Sequence, residues 1–481
     1  MMKYDIIVIG GGLGGLTAGA KLAKEGKKVL LLEQHDRPGG CATTFKRKDY
    51  TLEVGLHEMD GLHPRDLKTK IFRDLGLFEH VDFLPVPEFY RFVQGNLNIV
   101  IPHNPEEAAA ELLKHFPEEK KGIDLYFESV LNARKIVGAK DVPPDRTVGK
   151  WLDEIISNET LKLVLLGNLG YFHDDPYSLS YYYYITAQGS YYNGRANYIK
   201  GGSQLLSDAL VDIIKANGGE VLLNTLAEAI EYNSDNTLSV TYCSRDKGPI
   251  GKEIATADKL VVNTSLHQLV NKLLPEGASQ ELENAIKDLN IGASLLTVYY
   301  GFRKALKDLG NKYYSMFVYD ESVKSQSDIL KNNHSDFDTR SFTFVDYSQL
   351  DSALAPEGKS VGAVCCVDYL DDWDNLDKKE YAEAKKKVAD TFTRRLDSVI
   401  PGFADAVEYV EVATSRTVKR YTMNPGGAVY GFAQNPSKSL AYLEKLPDNI
   451  FLASAWGKFG GGFSGAIFSG YMTAFDILRK G

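Results

Sequence analysis

Cysteine is scarce in this chain: four residues in 481, at Cys41, Cys243, Cys365 and Cys366, with no CxxC pair among them. That spacing excludes a disulfide framework and a thioredoxin-type redox motif, and it fits a reducing, cytoplasmic compartment. Long apolar runs are missing too. None approaches the ~18 residues that a membrane-spanning helix needs, which leaves only peripheral contact, on the inner face of a membrane. The apolar start, residues 6–20, is broken by six glycines and followed by polar helical sequence without a cleavage-site pattern, so no signal peptide is expected. An excess of basic residues is also absent. With 55 Lys and Arg against 64 Asp and Glu, net −9, no nucleic-acid partner is expected, Lys46-Arg47-Lys48 being a local exception. What remains, 44% hydrophobic and 25% charged, describes an ordinary globular protein. At this length two domains are expected, with a ligand groove between them.

Residues 6–9 are an apolar β-type run, followed by Gly10-Gly11-Gly12-Leu13-Gly14-Gly15 and a helical stretch over 16–25 that Gly26 ends. Strand, glycine turn and helix come in the order a dinucleotide site requires. Gly10 allows the tight turn, Gly12 lets backbone approach a pyrophosphate, and Gly15 permits close packing of helix on strand. Gly14 lies in the same loop, and the helix N-terminus supplies amide donors. A second strand, 28–32, ends in Glu33, whose carboxylate suits both hydroxyls of an adenosine ribose and repels the 2′-phosphate of NADP. Gln34 beside it is a further cofactor contact. These residues leave NAD and FAD both open.

The separating feature is Arg37-Pro38-Gly39-Gly40 and then Tyr50-Thr51-Leu52-Glu53-Val54-Gly55. With these the sequence resembles the FAD-dependent amine-oxidase and phytoene-desaturase superfamily. The resemblance implies that Arg37, Gly39, Gly40 and Gly55 lie along FAD; relatives usually carry Asp where this chain has Glu53. It returns at Tyr198-Ile199-Lys200-Gly201-Gly202-Ser203 with a helix over 204–216. It returns again at Gly460-Gly461-Gly462-Phe463-Ser464-Gly465-Ala466, after a strand over 449–453 and before a helix reaching Leu478. In relatives this last helix points its N-terminus at the flavin pyrimidine, so Gly461, Gly462 and Phe463 are expected cofactor contacts. Where relatives have Gly-Asp, this chain reads Ser454-Ala455-Trp456, and no role passes to Trp456.

The implied fold is α/β, a Rossmann-type FAD-binding domain discontinuous in sequence (1–75, 198–270, 445–481). An α+β substrate domain is formed by two insertions (76–197, 271–444). Helices are expected over 106–115, 148–166 and 379–399, and strands over 294–300, 341–345 and 361–369. No second GxGxxG follows a strand in the insertions, so a built-in NAD(P)H domain is not expected. Cys365 and Cys366 alternate along a strand and cannot both face a flavin. Cys41, after the glycine pair, is expected to be a small buried side chain. Eight of 28 tyrosines fall between Tyr177 and Tyr198. They suit either an aromatic domain interface or the wall of an apolar substrate tunnel.

Gly55-Leu56-His57-Glu58-Met59 stands where relatives place a loop beside the isoalloxazine ring, and sequences similar to retinol saturase have His there. His57 and Glu58 are the catalytic candidates; His57 and His63 lack the partners a metal site needs, so no metal is expected. The implied function is an FAD-dependent oxidoreductase of the phytoene desaturase-like type. Its substrate would be a long apolar polyene such as a carotenoid or retinoid, desaturated, saturated or isomerised at carbon–carbon bonds. A flavin amine oxidase and a prenyl-lipid carrier resembling the Rab GDP-dissociation inhibitors are the competing readings.

Overall fold

The first strand, Met2–Ile9, is fully buried from Ile6 onward and pairs in parallel with Val29–Leu32 on one side and Glu253–Val262 on the other. This computed structural model describes residues 2–139, 143, 145–245 and 251–480. Glu220–Leu222 extends the parallel sheet beyond Val29–Leu32, and Ile450–Leu452 pairs in parallel with the end of Glu253–Val262. Two antiparallel strands, Leu238–Ser244 and Thr225–Tyr232, complete the seven. Three distant stretches of chain therefore build one sheet. The parallel strands end together at Ile9, Leu32, Leu222, Val262 and Leu452, the edge at which open α/β sheets bind ligands.

The first helix, Leu13–Lys24, starts three residues earlier than the apolar pattern suggests. Gly12 is extended at its N-cap and offers no side-chain cap, so the glycine run itself enters the helix. This helix packs against the C-terminal one, Gly462–Arg479, at very short range. A Cβ on Gly470 would lie 2.2 Å from the Gly14 carbonyl oxygen, and one on Gly14 would lie 2.2 Å from that of Ala453. Gly470→Val is therefore expected to force the helices apart, costing about 1–3 kcal/mol or more, measured as a lower denaturation midpoint. An unchanged midpoint would contradict the packing.

A second seven-stranded sheet runs in the order Val407–Ala413, Ser294–Phe302, Ser360–Asp368, Phe342–Asp346, Ser315–Val318, Tyr90–Gln94, Leu97–Ile101. Alternation divides its residues. Leu296, Val298, Tyr300, Val364 and Cys366 pack under the long helix Lys378–Val399, through Val388, Phe392 and Leu396. Leu295, Thr297, Tyr299 and Cys365 face the other way, into a cavity. The two cysteines are thus on opposite faces.

The helix expected over 148–166 is two, Val148–Ile155 and Glu159–Leu165. Buried Glu119 accepts hydrogen bonds from the backbone of Ser157 and Asn158, and Asn158 caps the second helix by accepting from the Leu161 amide. Capping residues outcompete the helix there, which the apolar spacing did not reveal. The tyrosine cluster is a helix, Tyr181–Gly194. Tyr181, Tyr184 and Tyr192 face an aromatic core with Trp151 and Tyr126, while Tyr182, Tyr183 and Tyr191 line the cavity. One helix thus presents tyrosines both to a core and to the cavity.

Candidate cofactor and active site

A cavity of about 2940 Å³ runs between the two sheets. That is several times an ordinary small-molecule site and has room for a dinucleotide and a substrate together. Every site residue expected from the sequence lines it except Gly15. Gly15 instead lies against the strand end, where its Cβ would be 2.1 Å from the Gly10 carbonyl oxygen.

At one end, Gly10 takes φ +99° and the chain turns into a helix whose first amides have no side-chain cap. Glu33 is 5% exposed and accepts hydrogen bonds from the amides of Gly11 (2.6 Å) and His35 (2.9 Å). Burial pushes its pKa up, against the pull of those amides. Gly39 and Gly40, both at positive φ, close on the loop, with the Gly39 amide donating to the Gly11 carbonyl at 2.7 Å. Arg37 lies exposed on the rim and donates to the Thr44 carbonyl at 2.8 Å. Uncapped amides, glycines where side chains would collide and a buried carboxylate beside them make a donor set that fits the ADP half of FAD.

The sequence did not disclose what crosses this groove. The helix Ser415–Thr422 and the turn after it arrive from the second sheet. The Tyr421 carbonyl meets the Gln34 amide group at 3.3 Å and the His35 ring at 2.6 Å, and the Met423 carbonyl accepts from Gln268 at 3.1 Å. The Gln34 side chain is engaged by this strap.

At the other end, Glu53 ties the motifs together. It is 3% exposed and accepts from the Ser203 amide (2.8 Å) and hydroxyl (2.6 Å), the Tyr198 hydroxyl (3.3 Å) and the amides of Leu56 (3.3 Å) and Gly55 (3.4 Å). The loop after it is held by tyrosines: Tyr299 donates to the Val54 carbonyl, Tyr347 to that of Leu56 and Tyr314 to that of His57. Gly55 lies against the Cys41 carbonyl. Cys41 itself, expected to be buried, is exposed and lines the cavity. The surrounding protein, not a neighbouring cation, sets its thiol pKa and raises it. Gly461 packs on Tyr430, where a Cβ would come within 2.5 Å of the Tyr430 Cα, and Gly462 and Phe463 open on the cavity. Trp456 is a core residue, packed on Phe432 with ring centroids 4.9 Å apart.

Three titratable groups within four residues, His57, Glu58 and Asp60, are pushed in different directions. Burial lowers the pKa of His57 to about 4; its Nδ1 is 3.2 Å from the Tyr171 hydroxyl. Glu58 is 9% exposed, its Oε2 has no hydrogen-bond partner among the described residues, and burial, then Glu88 and Asp60, raise its pKa well above the ordinary value. Burial alone would raise Asp60 as well, but Lys68 at 3.2 Å and the hydroxyls of Ser190 and Ser464 outweigh it and hold Asp60 ionised. Fully buried Lys68 also donates to Ser464 at 2.6 Å, tying the site to the C-terminal helix. Their surroundings thus favour the neutral form of Glu58 and the charged form of Asp60, two residues on.

His57 and His103 share one consequence. Burial lowers both to about 4, from an ordinary 6.5. Below pH 6.5 the unfolded chain binds protons that the folded chain does not. Their contribution to stability, full above 6.5, is therefore lost as pH falls toward 4. His103→Phe is expected to flatten that acid loss in denaturant titrations at pH 7 and 5. An unaltered pH dependence would mean that His103 is protonated in the folded state.

The profile of the family of flavin containing amine oxidoreductases matches residues 13–478. The chain belongs to that family. Prolycopene isomerase of Daucus carota is 25% identical over 99% of this chain and 80% of its own length. All-trans-retinol 13,14-reductase of Danio rerio is 26% identical over 89% of this chain and 77% of its own. An oxidoreductase from Methanosarcina mazei shares the fold, with a TM-score of 0.69 at 17% identity, over 99% of this chain and 100% of that one. The protein is an FAD-dependent oxidoreductase, and its relatives do not favour the amine-oxidase or lipid-carrier readings. Among the described residues no group of three or more His, Cys, Asp or Glu side chains is placed to hold a metal, and no helix is long and apolar enough to cross a membrane.

Glu33→Ala is expected to weaken FAD about ten- to a hundredfold, because charge-assisted hydrogen bonds to a ribose contribute roughly 1.5–3 kcal/mol each. Flavin content after dialysis reads this directly. Equal content in mutant and parent would remove Glu33 from the cofactor site.

Proposed function

We propose that this FAD-dependent enzyme acts on carbon–carbon bonds of a long apolar polyene of carotenoid or retinoid type, with Glu58 as the proton-carrying residue and His57 as a positioning neighbour. The observation that carries the reading is the wall of the cavity beyond the flavin glycines. It is built of Leu295, Cys365, Val412, Val429 and tyrosine and phenylalanine rings, including Tyr171, Phe172 and Tyr299. Two relatives, a prolycopene isomerase and an all-trans-retinol 13,14-reductase, support it. Gly10, Gly12, Gly14, Gly39, Gly40, Glu33, Gln34 and Arg37 are the proposed contacts of the ADP and ribityl portions; Gly55, Gly461, Gly462 and Phe463 are those of the ring. Gly15 supports the helix at this site by packing. The division into 1–75, 198–270 and 445–481 against 76–197 and 271–444 is the proposed domain boundary, and the inner face of a membrane the proposed place of substrate uptake.

Bound FAD supplies a two-electron partner able to take or return hydride. The chain's own residues supply the rest. Tyrosine faces along the wall favour positive charge spread over a polyene through their quadrupoles. The clamp of Tyr299, Tyr347 and Tyr314 on the loop carbonyls keeps His57 and Glu58 at a fixed position. Neutral Glu58 can deliver a proton to a polyene carbon, which suits saturation and isomerisation; water-excluding apolar walls protect the cation so formed.

The test is anaerobic incubation of oxidised and of chemically reduced holoenzyme with carotenoids and retinoids, followed by product mass analysis. Loss of two hydrogens, gain of two, or a rearranged product of unchanged mass identifies desaturase, saturase or isomerase. No conversion of any polyene, with peroxide released from amines, would reject the proposal.

A further inference from the structure

Around the cavity, Tyr171, Tyr299, Tyr314 and Tyr347 each place their hydroxyl on a protein partner. Tyr183, Tyr191 and Tyr430 do not. All three are half-buried and line the cavity, and their hydroxyls make no hydrogen bond among the described residues. Their rings are fixed. Tyr191 stacks on Phe89 with centroids 4.9 Å apart, Tyr183 packs edge-on against Phe172 at 6.2 Å, and the Tyr430 ring reaches within 3.9 Å of where a Gly462 side chain would begin. Beside them is Glu58, nine-tenths buried, its Oε2 without a partner. Fixed donors without acceptors, in a wall otherwise apolar, are costly for a site that holds only hydrocarbon. A ligand that leaves them unpaired forfeits their hydrogen bonds while still stripping their water.

We propose that Tyr183, Tyr191, Tyr430 and Glu58 form a polar subsite for an uncharged oxygen, the hydroxyl or carbonyl of an oxygenated polyene, and that this chain selects such polyenes over hydrocarbons of the same length. The inference rests on the polyene reading above and narrows it. The charges nearby argue for a neutral oxygen. Lys68, the cation beside Asp60, is already engaged by Asp60 and Ser464, so a carboxylate end gains no counter-ion from Lys68 and meets the Asp60 charge instead. Asp60 in turn is engaged by Lys68, Ser190 and Ser464, so its charge is already taken up and does not serve as the counter-ion of an ammonium. Electrostatic coupling of Tyr191 to Glu58, Asp60, Tyr430 and Tyr183 agrees with their convergence on one place.

The experiment titrates FAD-loaded protein with three ligands of one skeleton: all-trans-retinol, the hydrocarbon with hydrogen in place of its hydroxyl, and the corresponding carboxylate. Perturbation of the bound-flavin absorbance reports binding without turnover. The alcohol is expected to bind at least about tenfold more tightly than either of the others, the effect of one well-placed hydrogen bond. In Tyr191→Phe and Tyr430→Phe, singly and combined, that preference should shrink to within about threefold, with flavin content and melting temperature unchanged. Equal or tighter binding of the hydrocarbon by the parent protein overturns the subsite. So does a preference for the carboxylate, or an alcohol preference that survives the double substitution. If none of the three binds, the polyene reading itself fails, a result separate from loss of discrimination.

Discussion

Gly12→Val is expected to yield a folded protein that retains no FAD. Gly12 stands at the N-cap of the first helix with extended backbone, which valine adopts readily, so the strand and helix on either side survive. The space in front of Gly12 is the issue. A Cβ there would lie 2.8 Å from the Asn263 side-chain nitrogen, and the Gly39-Gly40 loop comes down on the same spot, Gly12 bridging to Gly39. Asn263 can swing aside, but the two γ-methyls of valine would then stand across the uncapped amides of the helix. Those amides would have to approach a diphosphate within hydrogen-bond distance, and methyl groups hold it off by more than an ångström. Gly12→Ala is a graded control, expected to bind FAD weakly rather than not at all. Size-exclusion elution and far-UV circular dichroism should match the parent, while flavin absorbance and fluorescence disappear. Full flavin retention in Gly12→Val would remove the helix N-terminus from the cofactor site.

That part of the site was legible because dinucleotide binding depends on backbone, and backbone demands are written as glycines at fixed spacing. Gly10, Gly12, Gly39 and Gly462 announce themselves through positions where a Cβ or a negative φ does not fit. The strands of the parallel sheet were legible for a similar reason, since burial on both faces leaves continuous Val, Ile and Leu runs. What stayed hidden was carried by polar side chains whose partners lie far along the chain. Glu53 looked like a mild departure from a pattern, yet five donors from two segments meet on it. Lys68 sits in an ordinary amphipathic helix, and nothing in its neighbours shows that Asp60, itself held by Ser190, and Ser464 complete it. The strap at Tyr421 and Met423 is a backbone contact and leaves no residue-type signal; the Asn424-Pro425-Gly426-Gly427 turn after it was the available hint. The break at Ser157 was missed because its cause, Glu119, is on another helix turn.

Glu58→Gln is expected to leave fold and flavin intact and to reduce turnover by about 10²–10⁴-fold, the range for loss of a positioned proton donor. The substitution is unusually clean here. Burial, reinforced by Glu88 and Asp60, keeps Glu58 protonated, so glutamine replaces a neutral side chain with a neutral one of nearly the same shape. Only the ability to give up a proton is removed. The pH dependence separates this from misplacement. In the parent, activity should hold on the acid side and fall as pH rises through the elevated pKa of Glu58, and that alkaline limb should be missing from the residual activity of the variant. His57→Ala makes a contrasting comparison. With a pKa near 4 the ring is neutral at working pH, and its hydrogen bond to Tyr171 assigns it to positioning. Its turnover should fall too, but with the alkaline limb preserved, because the proton still resides on Glu58. Activity of Glu58→Gln within about threefold of the parent would mean that this carboxyl group moves no proton in the reaction. The hydroxyls of Tyr183, Tyr191 and Tyr430 would then be the next donors to substitute.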